Sequence, residues 1–340
     1  MKLVFVTQQV DPGHPTLGAA AAMVRALAER ADEVVVLASS AATDALPHNV
    51  RFRSFAAPTQ AFRGLRFETE LIREIVRGRP DGFLAHMSPV YALLAAPLLR
   101  PLRVPVLLWF TQQKGGPNFH RSIRVVDTIL SVDKRSVPVA SPKVRAIGHG
   151  IDVAAFECVE RPRHEGVRLL SLGRYADVKG HGVAIRALPA LRGASLTVRG
   201  EEATPNDATV RARLAALVRD LGLEGRVRLL DAVPRIEVPG LFAETDVVVN
   251  ATRGMSADKV VFEALAACTP VVAASPVFDA LLPPALRFTY GDPAGLASAI
   301  RAAAVLPWQE RRSLRARVEA EHSVDHWADE VVAAVRLARG

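Results

Sequence analysis

Short runs of branched and aromatic residues punctuate this 340-residue chain, and between them lie stretches whose apolar positions recur every three or four residues. In the first half, Lys2 to Val6, Val34 to Leu37, Gly82 to Ala85, Val106 to Phe110 and Thr128 to Val132 read as strands. Ala19 to Glu29, Arg66 to Arg77 and Pro89 to Leu99 read as the helices among them. The rhythm resumes with strands at Val167 to Ser171, Ser195 to Arg199, Val227 to Leu230, Val247 to Asn250 and Val271 to Ala274. Helices at Val183 to Leu191 and Asp207 to Leu221 separate them. Strands alternating with helices predict parallel sheets covered on both faces, so the expected fold class is α/β with two doubly wound, Rossmann-like domains. The expected boundaries are 1–150, 151–322 and a last helix over 323–340 that packs back on the first domain. Gly148-His149-Gly150 supplies backbone that can turn at the join. Parallel sheets bind ligands at the carboxyl ends of their strands, which predicts a site in a cleft between the domains.

Half of the residues are hydrophobic and under a quarter are charged, enough apolar surface for two cores. The longest apolar region, Val90 to Phe110, is broken by Arg100, Pro101, Arg103 and Pro105, which argues against a transmembrane span. The amino terminus reads as a first strand without a signal peptide. Cys158 and Cys268 are too few for a disulfide framework or a zinc site and read as small core residues in a reducing, cytoplasmic compartment. A net charge of +8 favours anionic partners: nucleotide phosphates or acidic lipid. Nucleic acid is excluded as the expected partner, because the basic residues lack interleaved aromatics and any reading motif. Arginines crowd Arg63 to Arg79, with Phe62, Leu65, Phe67, Leu71, Ile72 and Ile75 at near-helical spacing. That segment is either a solvated helix face or a patch for peripheral contact with an anionic inner membrane face.

Two segments carry candidate chemistry. After the strand Val167 to Ser171 comes Gly173-Arg174-Tyr175-Ala176-Asp177-Val178-Lys179-Gly180, leading into a helix. Two glycines free the backbone there, and a guanidinium and an ammonium can converge on a diphosphate beside a helix N-terminus. The second is the helix from Ser256, its expected N-cap, through Asp258, Lys259 and Glu263 to Thr269-Pro270. Glu263 has apolar neighbours on both sides and needs donors, either a ribose diol or Lys259 one turn earlier.

In this order and spacing the two segments resemble the retaining glycosyltransferases of family 4, which have the GT-B fold. Those proteins carry Gly-Arg, a short loop and Lys-Gly, then a helix reading Glu-Ala-x-Ala-x-Gly-Thr-Pro-Val; here stand Gly173-Arg174, Lys179-Gly180 and Glu263 to Val271. Leu221 to Val227, Ala232-Val233-Pro234 and Asp246-Val247 look like the stretch whose backbone meets the base. The resemblance implies that Gly173, Arg174 and Lys179 hold the donor diphosphate, Glu263 the ribose, and Val233 the base. Asp258 or Lys259, at the helix start, would stand in for the family's sugar-contacting glutamate, and Ser256 is assigned to the donor site. Gly18, after Leu17, stands where the family allows close approach to donor phosphate or sugar. His86, at the end of a strand, is a catalytic candidate, and His14, Gln112 and His120 are acceptor-side candidates.

Two positions depart from the family. Met255 stands where a second glutamate usually contacts the sugar, and Gln112 stands where relatives tend to have a histidine. The reading is a metal-independent retaining transferase that needs no cofactor and takes a nucleoside diphosphate sugar, UDP first and GDP next, as substrate. Its acceptor is a small molecule, lipid or saccharide. The alternatives are a nucleotide-sugar epimerase of the same fold and a non-catalytic sugar-nucleotide-binding or scaffold protein. A dehydrogenase lacks support, since Thr7-Gln8-Gln9-Val10-Asp11 holds no Gly-x-Gly-x-x-Gly.

Overall fold

The computed structural model describes residues 1–14, 18–160 and 165–339. The chain divides into two compact units, Met1–Asp152 with Glu321–Gly340, and Val153–Ala320. Each is an α/β unit built on a parallel sheet.

The first unit runs β1 (Lys2–Val6), β2 (Gln9–Val10), α1 (Ala19–Ala28), β3 (Glu33–Ala38), β4 (Ser40–Ala41), β5 (Val50–Ser54) and α2 (Gln60–Arg77). It continues with β6 (Gly82–His86), α3 (Pro89–Leu99), β7 (Val106–Trp109), α4 (Pro117–Ser122), β8 (Thr128–Ser131) and β9 (Val144–Ala146). Seven of these strands form a sheet in the order β5-β3-β1-β6-β7-β8-β9, and β2 pairs with β4 beside it. The order reverses between β1 and β6, so the carboxyl ends of those two strands border the switch point where such sheets bind ligands. Apolar residues of the strands, Val4, Val35, Phe83 and Leu108, are buried against Phe67 and Leu71 of α2 and Leu99 of α3.

Strand β5 reads Val-Arg-Phe-Arg-Ser and was not expected from the apolar pattern. Its arginines explain both the weak signal and the strand. Arg51 and Arg53 reach Glu74 of α2 at 3.1 and 3.0 Å, and Lys2 of β1 lies 3.4 Å from the same carboxylate. Burial works against the charge of Glu74, but these three cations hold its pKa below the ordinary glutamate value. Helix α2 begins six residues before its expected start, with the Thr59 hydroxyl accepting from the Phe62 amide as its N-cap.

The second unit runs β10 (Arg168–Leu172), α5 (His181–Ala187), β11 (Ser195–Gly200), α6 (Pro205–Asp220), β12 (Val227–Asp231) and α7 (Val238–Ala243). Then follow β13 (Val247–Asn250), α8 (Lys259–Ala266), β14 (Val271–Ala273), α9 (Pro293–Ala304) and α10 (Trp308–His322). The sheet order is β12-β11-β10-β13-β14, with its switch point between β10 and β13. The final helix, α11 (Val324–Leu337), is capped by Ser323 and belongs to the first unit. There Trp327 is buried edge-on to Trp109, and Arg30 beyond α1 pairs with Asp325 and Asp329.

The cysteine reading needs correction. Cys158 and Cys268, 110 positions apart in sequence, are joined as a disulfide with Cα atoms 5.0 Å apart. Cys268 ends the turn after α8, and the segment from Phe156 to Cys158 passes beside it; no local spacing could announce that meeting. The inference of a reducing compartment therefore loses its basis. No described helix is long and apolar enough to cross a membrane.

Candidate functional site

In the second unit the loop after β10 and the loop after β13 leave adjacent strands on the two sides of the switch point. The first is Gly173 to Gly180; the second runs from Ala251 to Asp258, the residue before α8. The Lys179 ammonium and the Asp258 carboxylate lie 2.8 Å apart and tie the loops together. Gly173 has φ +150, and a Cβ there would come within 3.2 Å of the Lys179 side chain, which lies across it. Gly180 has φ +66, and a Cβ would fall 2.2 Å from the Ala251 carbonyl oxygen, so only glycine lets the loops approach this closely.

Asp258 also accepts from Asn250 Nδ2 at 2.9 Å, from Ser256 Oγ at 2.7 Å and from the Thr252 hydroxyl. Burial opposes its ionisation, yet the Lys179 charge and these donors lower its pKa to about 2. Ser256 was expected to cap α8. Instead the helix starts at Lys259, Asp258 occupies the cap position without a side-chain cap bond, and the Ser256 hydroxyl serves Asp258. Four other partners hold the Asp258 carboxylate, so it makes no bond to the amides of the helix.

Further along α8, Glu263 is buried and its Oε1 lies 2.5 Å from the Arg235 guanidinium. Arg235 follows the Ala232-Val233-Pro234 loop at the carboxyl side of β12, so this ion pair joins the loop of Val233 to α8. The close cation is thus Arg235 rather than Lys259. Burial lowers the Lys259 pKa to about 8, opposed by the Glu263 charge and aided by that of Arg235. Arg174, half-exposed, is 3.5 Å from Asp207, which itself completes the capping box of α6 with Thr204. The structure therefore groups Lys179, Ser256, Asp258, Lys259 and Glu263 around α8 and directs Arg174 to a separate carboxylate.

Two residues that the sequence did not single out hold the first loop. The Tyr175 phenol is buried and donates to the Leu230 carbonyl at 2.8 Å; burial raises its pKa to about 12. His181 is buried with Nε2 3.1 Å from the Arg174 carbonyl and Nδ1 2.9 Å from Ser171 Oγ. A carbonyl only accepts, so Nε2 carries the proton and Nδ1 accepts from Ser171. Burial drops the His181 pKa to about 4, and the ring stays neutral as a strut between β10 and the loop.

The first unit offers a cavity of about 920 Å³. Gln8, Gln9 and Ser39 come from the carboxyl ends of β1 and β3, Ser88 and Tyr91 from the start of α3, and Arg63 and Leu65 from α2. The Arg63 Nε is buried and makes no hydrogen bond among the described residues. None of the acceptor-side candidates lines this cavity. His86 ends β6 and its Nδ1 sits 3.1 Å from Thr7 Oγ1, at the switch point. His14 is half-buried, while Gln112 and His120 are exposed. Gly18 is buried before α1, with its amide donating to the His14 carbonyl, and Leu17 lies outside the described residues.

Solved structures share this fold. Anabaena HepE, crystallised with UDP and glucose, matches with a TM-score of 0.78 at 16% identity, over 99% of this chain and 100% of that one. Sucrose-phosphate synthase from Thermosynechococcus elongatus matches with a TM-score of 0.76 at 16% identity, over 99% and 98%. A lipopolysaccharide outer core galactosyltransferase, WaaB, does so at 0.69 and 11%, over 99% of each chain. At these identities the likeness is one of fold: the chain has a GT-B fold of two Rossmann-like units. Residues 166–304, which carry both loops and α8, match the family of glycosyl transferases group 1 and support a glycosyltransferase. No curated protein matches the chain.

Proposed function

We propose that the protein is a retaining glycosyltransferase that takes its sugar from a nucleoside diphosphate donor, UDP-linked by preference and GDP-linked next. The observation that carries this reading is the meeting of the two switch-point loops at Lys179 and Asp258, within the segment that matches glycosyl transferases group 1. HepE was crystallised with UDP-glucose, which favours uridine as the base.

In this reading Lys179 and Arg174 turn from Asp258 and Asp207 to the donor diphosphate, and the Glu263 carboxylate accepts from the ribose hydroxyls. Val233 lies by the base, while Ser256, Asp258 and Lys259 face the sugar, with Met255 leaving that side less acidic than in the family it resembles. The bond from the anomeric carbon to the β-phosphate oxygen breaks and its electron pair stays on that oxygen. The acceptor hydroxyl oxygen bonds to the anomeric carbon on the same face, and its proton passes to the leaving phosphate. Stabilising the departing diphosphate is then the main catalytic work, done by Arg174 and Lys179 without a metal. The acceptor occupies the cavity of the first unit, where Gln8, Gln9, Ser39 and Ser88 can bind hydroxyls. His86, at its strand end, serves the same side of the reaction.

The test is thermal stability with UDP, GDP, ADP and TDP, since a ligand that binds only the native state raises the midpoint. A shift with one diphosphate, followed by transfer from its sugar with the anomeric configuration kept, would establish the reading. The absence of any shift would remove it.

A further inference from the structure

Helix α2 has two apolar faces, and only one is used in folding. Phe67 and Leu71 are buried in the first unit, and Glu74 on the same side is held by Lys2, Arg51 and Arg53. On the opposite side Phe62, Leu65, Ile72 and Val76 are exposed at 62%, 61%, 45% and 81%. At 3.6 residues per turn, positions 62, 65, 69, 72 and 76 form one line about 21 Å long. Arg66, Arg73 and Arg77, all exposed, form a second row along one side of it.

The glutamates of the helix lie off this face: Glu70 and Glu74 are buried, and Glu68 lines the cavity. Arg66 donates to the Ala56 carbonyl, which leaves its charge unbalanced, and Arg73 reaches Glu70. Beyond the helix the exposed Arg79 meets the Arg103 carbonyl, bringing exposed Leu102 and Arg103 to the same end. A solvated surface helix has no use for four large apolar residues in a row, and the exposed charges beside them are arginines, the one carboxylate that reaches them, Glu70, being itself buried. An apolar stripe beside an arginine row fits the boundary between acyl chains and anionic headgroups.

We propose that the exposed face of α2 docks on an anionic lipid surface. Phe62, Leu65, Ile72 and Val76 enter the headgroup boundary, and Arg66, Arg73 and Arg77 meet lipid phosphates. Leu65 belongs both to this stripe and to the cavity wall, so docking sets the cavity next to the lipid.

The experiment is sedimentation of the full chain with vesicles of phosphatidylcholine, alone or with about a third of it replaced by phosphatidylglycerol. The expected result is binding to the anionic vesicles that weakens with salt. Each arginine changed to glutamine should lower the partition coefficient about fivefold. The double variant Phe62→Ser/Val76→Ser should lower it at least about tenfold. Because these side chains are exposed, an unchanged thermal midpoint will show that the variants fold. Failure of the parent to bind anionic vesicles would overturn the proposal. So would equal binding by parent and variants, or a concentration-dependent dimer broken by the same substitutions in a chain that ignores vesicles.

Discussion

Glu74 of the first unit and Glu263 of the second both sit buried in the middle of a helix, and they are held differently. Glu74 of α2 has three cations around it, all from its own unit's helix-covered sheet: Lys2 of β1, and Arg51 and Arg53 of β5. Glu263 of α8 has Arg235 as its close partner, and Arg235 stands on a loop at the carboxyl side of β12. A carboxylate locked by rigid strands from three sides has no capacity for a ligand and serves the fold. One whose partner comes from a loop at the ligand-binding end of a sheet can exchange that partner for a substrate. The same residue type in the same kind of helix thus reads as structural or as functional from where its donors come.

The largest effect that would break this contrast is expected at Glu74. Glu74→Ala leaves two arginines and a lysine crowded together and should lower unfolding free energy by about 3–5 kcal/mol, measured in urea, with nucleotide affinity unchanged. If it lost nucleotide binding while keeping its stability, the assignment of roles would be reversed.

The next effect uses pH. His181 is neutral in the fold with a pKa of about 4, against 6.5 for an ordinary histidine, so the unfolded chain takes up the proton first. Stability should be full above pH 6.5 and fall as the pH drops toward 4, by about 3 kcal/mol in all. A His181→Asn variant followed over the same range should show a flatter profile. Glu263→Ala and Lys179→Ala come third. Each should weaken binding of the preferred diphosphate by about 1.5–3 kcal/mol in calorimetry, with less change in the unliganded midpoint than Glu74→Ala. The smallest effect belongs to Lys259, whose pKa of about 8 means that its charge fades above that pH. Affinity for the nucleotide sugar should fall severalfold as the pH rises through 8, and Lys259→Arg should remove that step.

The strands that were legible in the sequence are those whose residues point into a core on both faces. Lys2–Val6, Val247–Asn250 and Val106–Trp109 announce themselves because covered parallel sheets need continuous apolar runs. Strand β5 did not, since Arg51 and Arg53 look like surface residues until Glu74 is placed opposite them. The apolar residues of α2 were legible as helical but not as two faces, because Ile72 and Leu71 are neighbours in sequence and opposite in fate. At the candidate site, Lys179 and Glu263 were read from motif spacing, whereas Arg235 and the cage around Asp258 were not. Asn250, Thr252 and Ser256 converge on that carboxylate only once β13 ends beside β10. Arg235 carried one available sign, its position just past a strand's carboxyl end.

The bridge between Cys158 and Cys268 makes a closed hoop of the backbone between them, and nearly every residue assigned to the donor lies within it. A protease that cuts once inside the hoop opens it without releasing a fragment. Such a nicked chain would migrate as one species on a gel until a reductant is added, and only then as two.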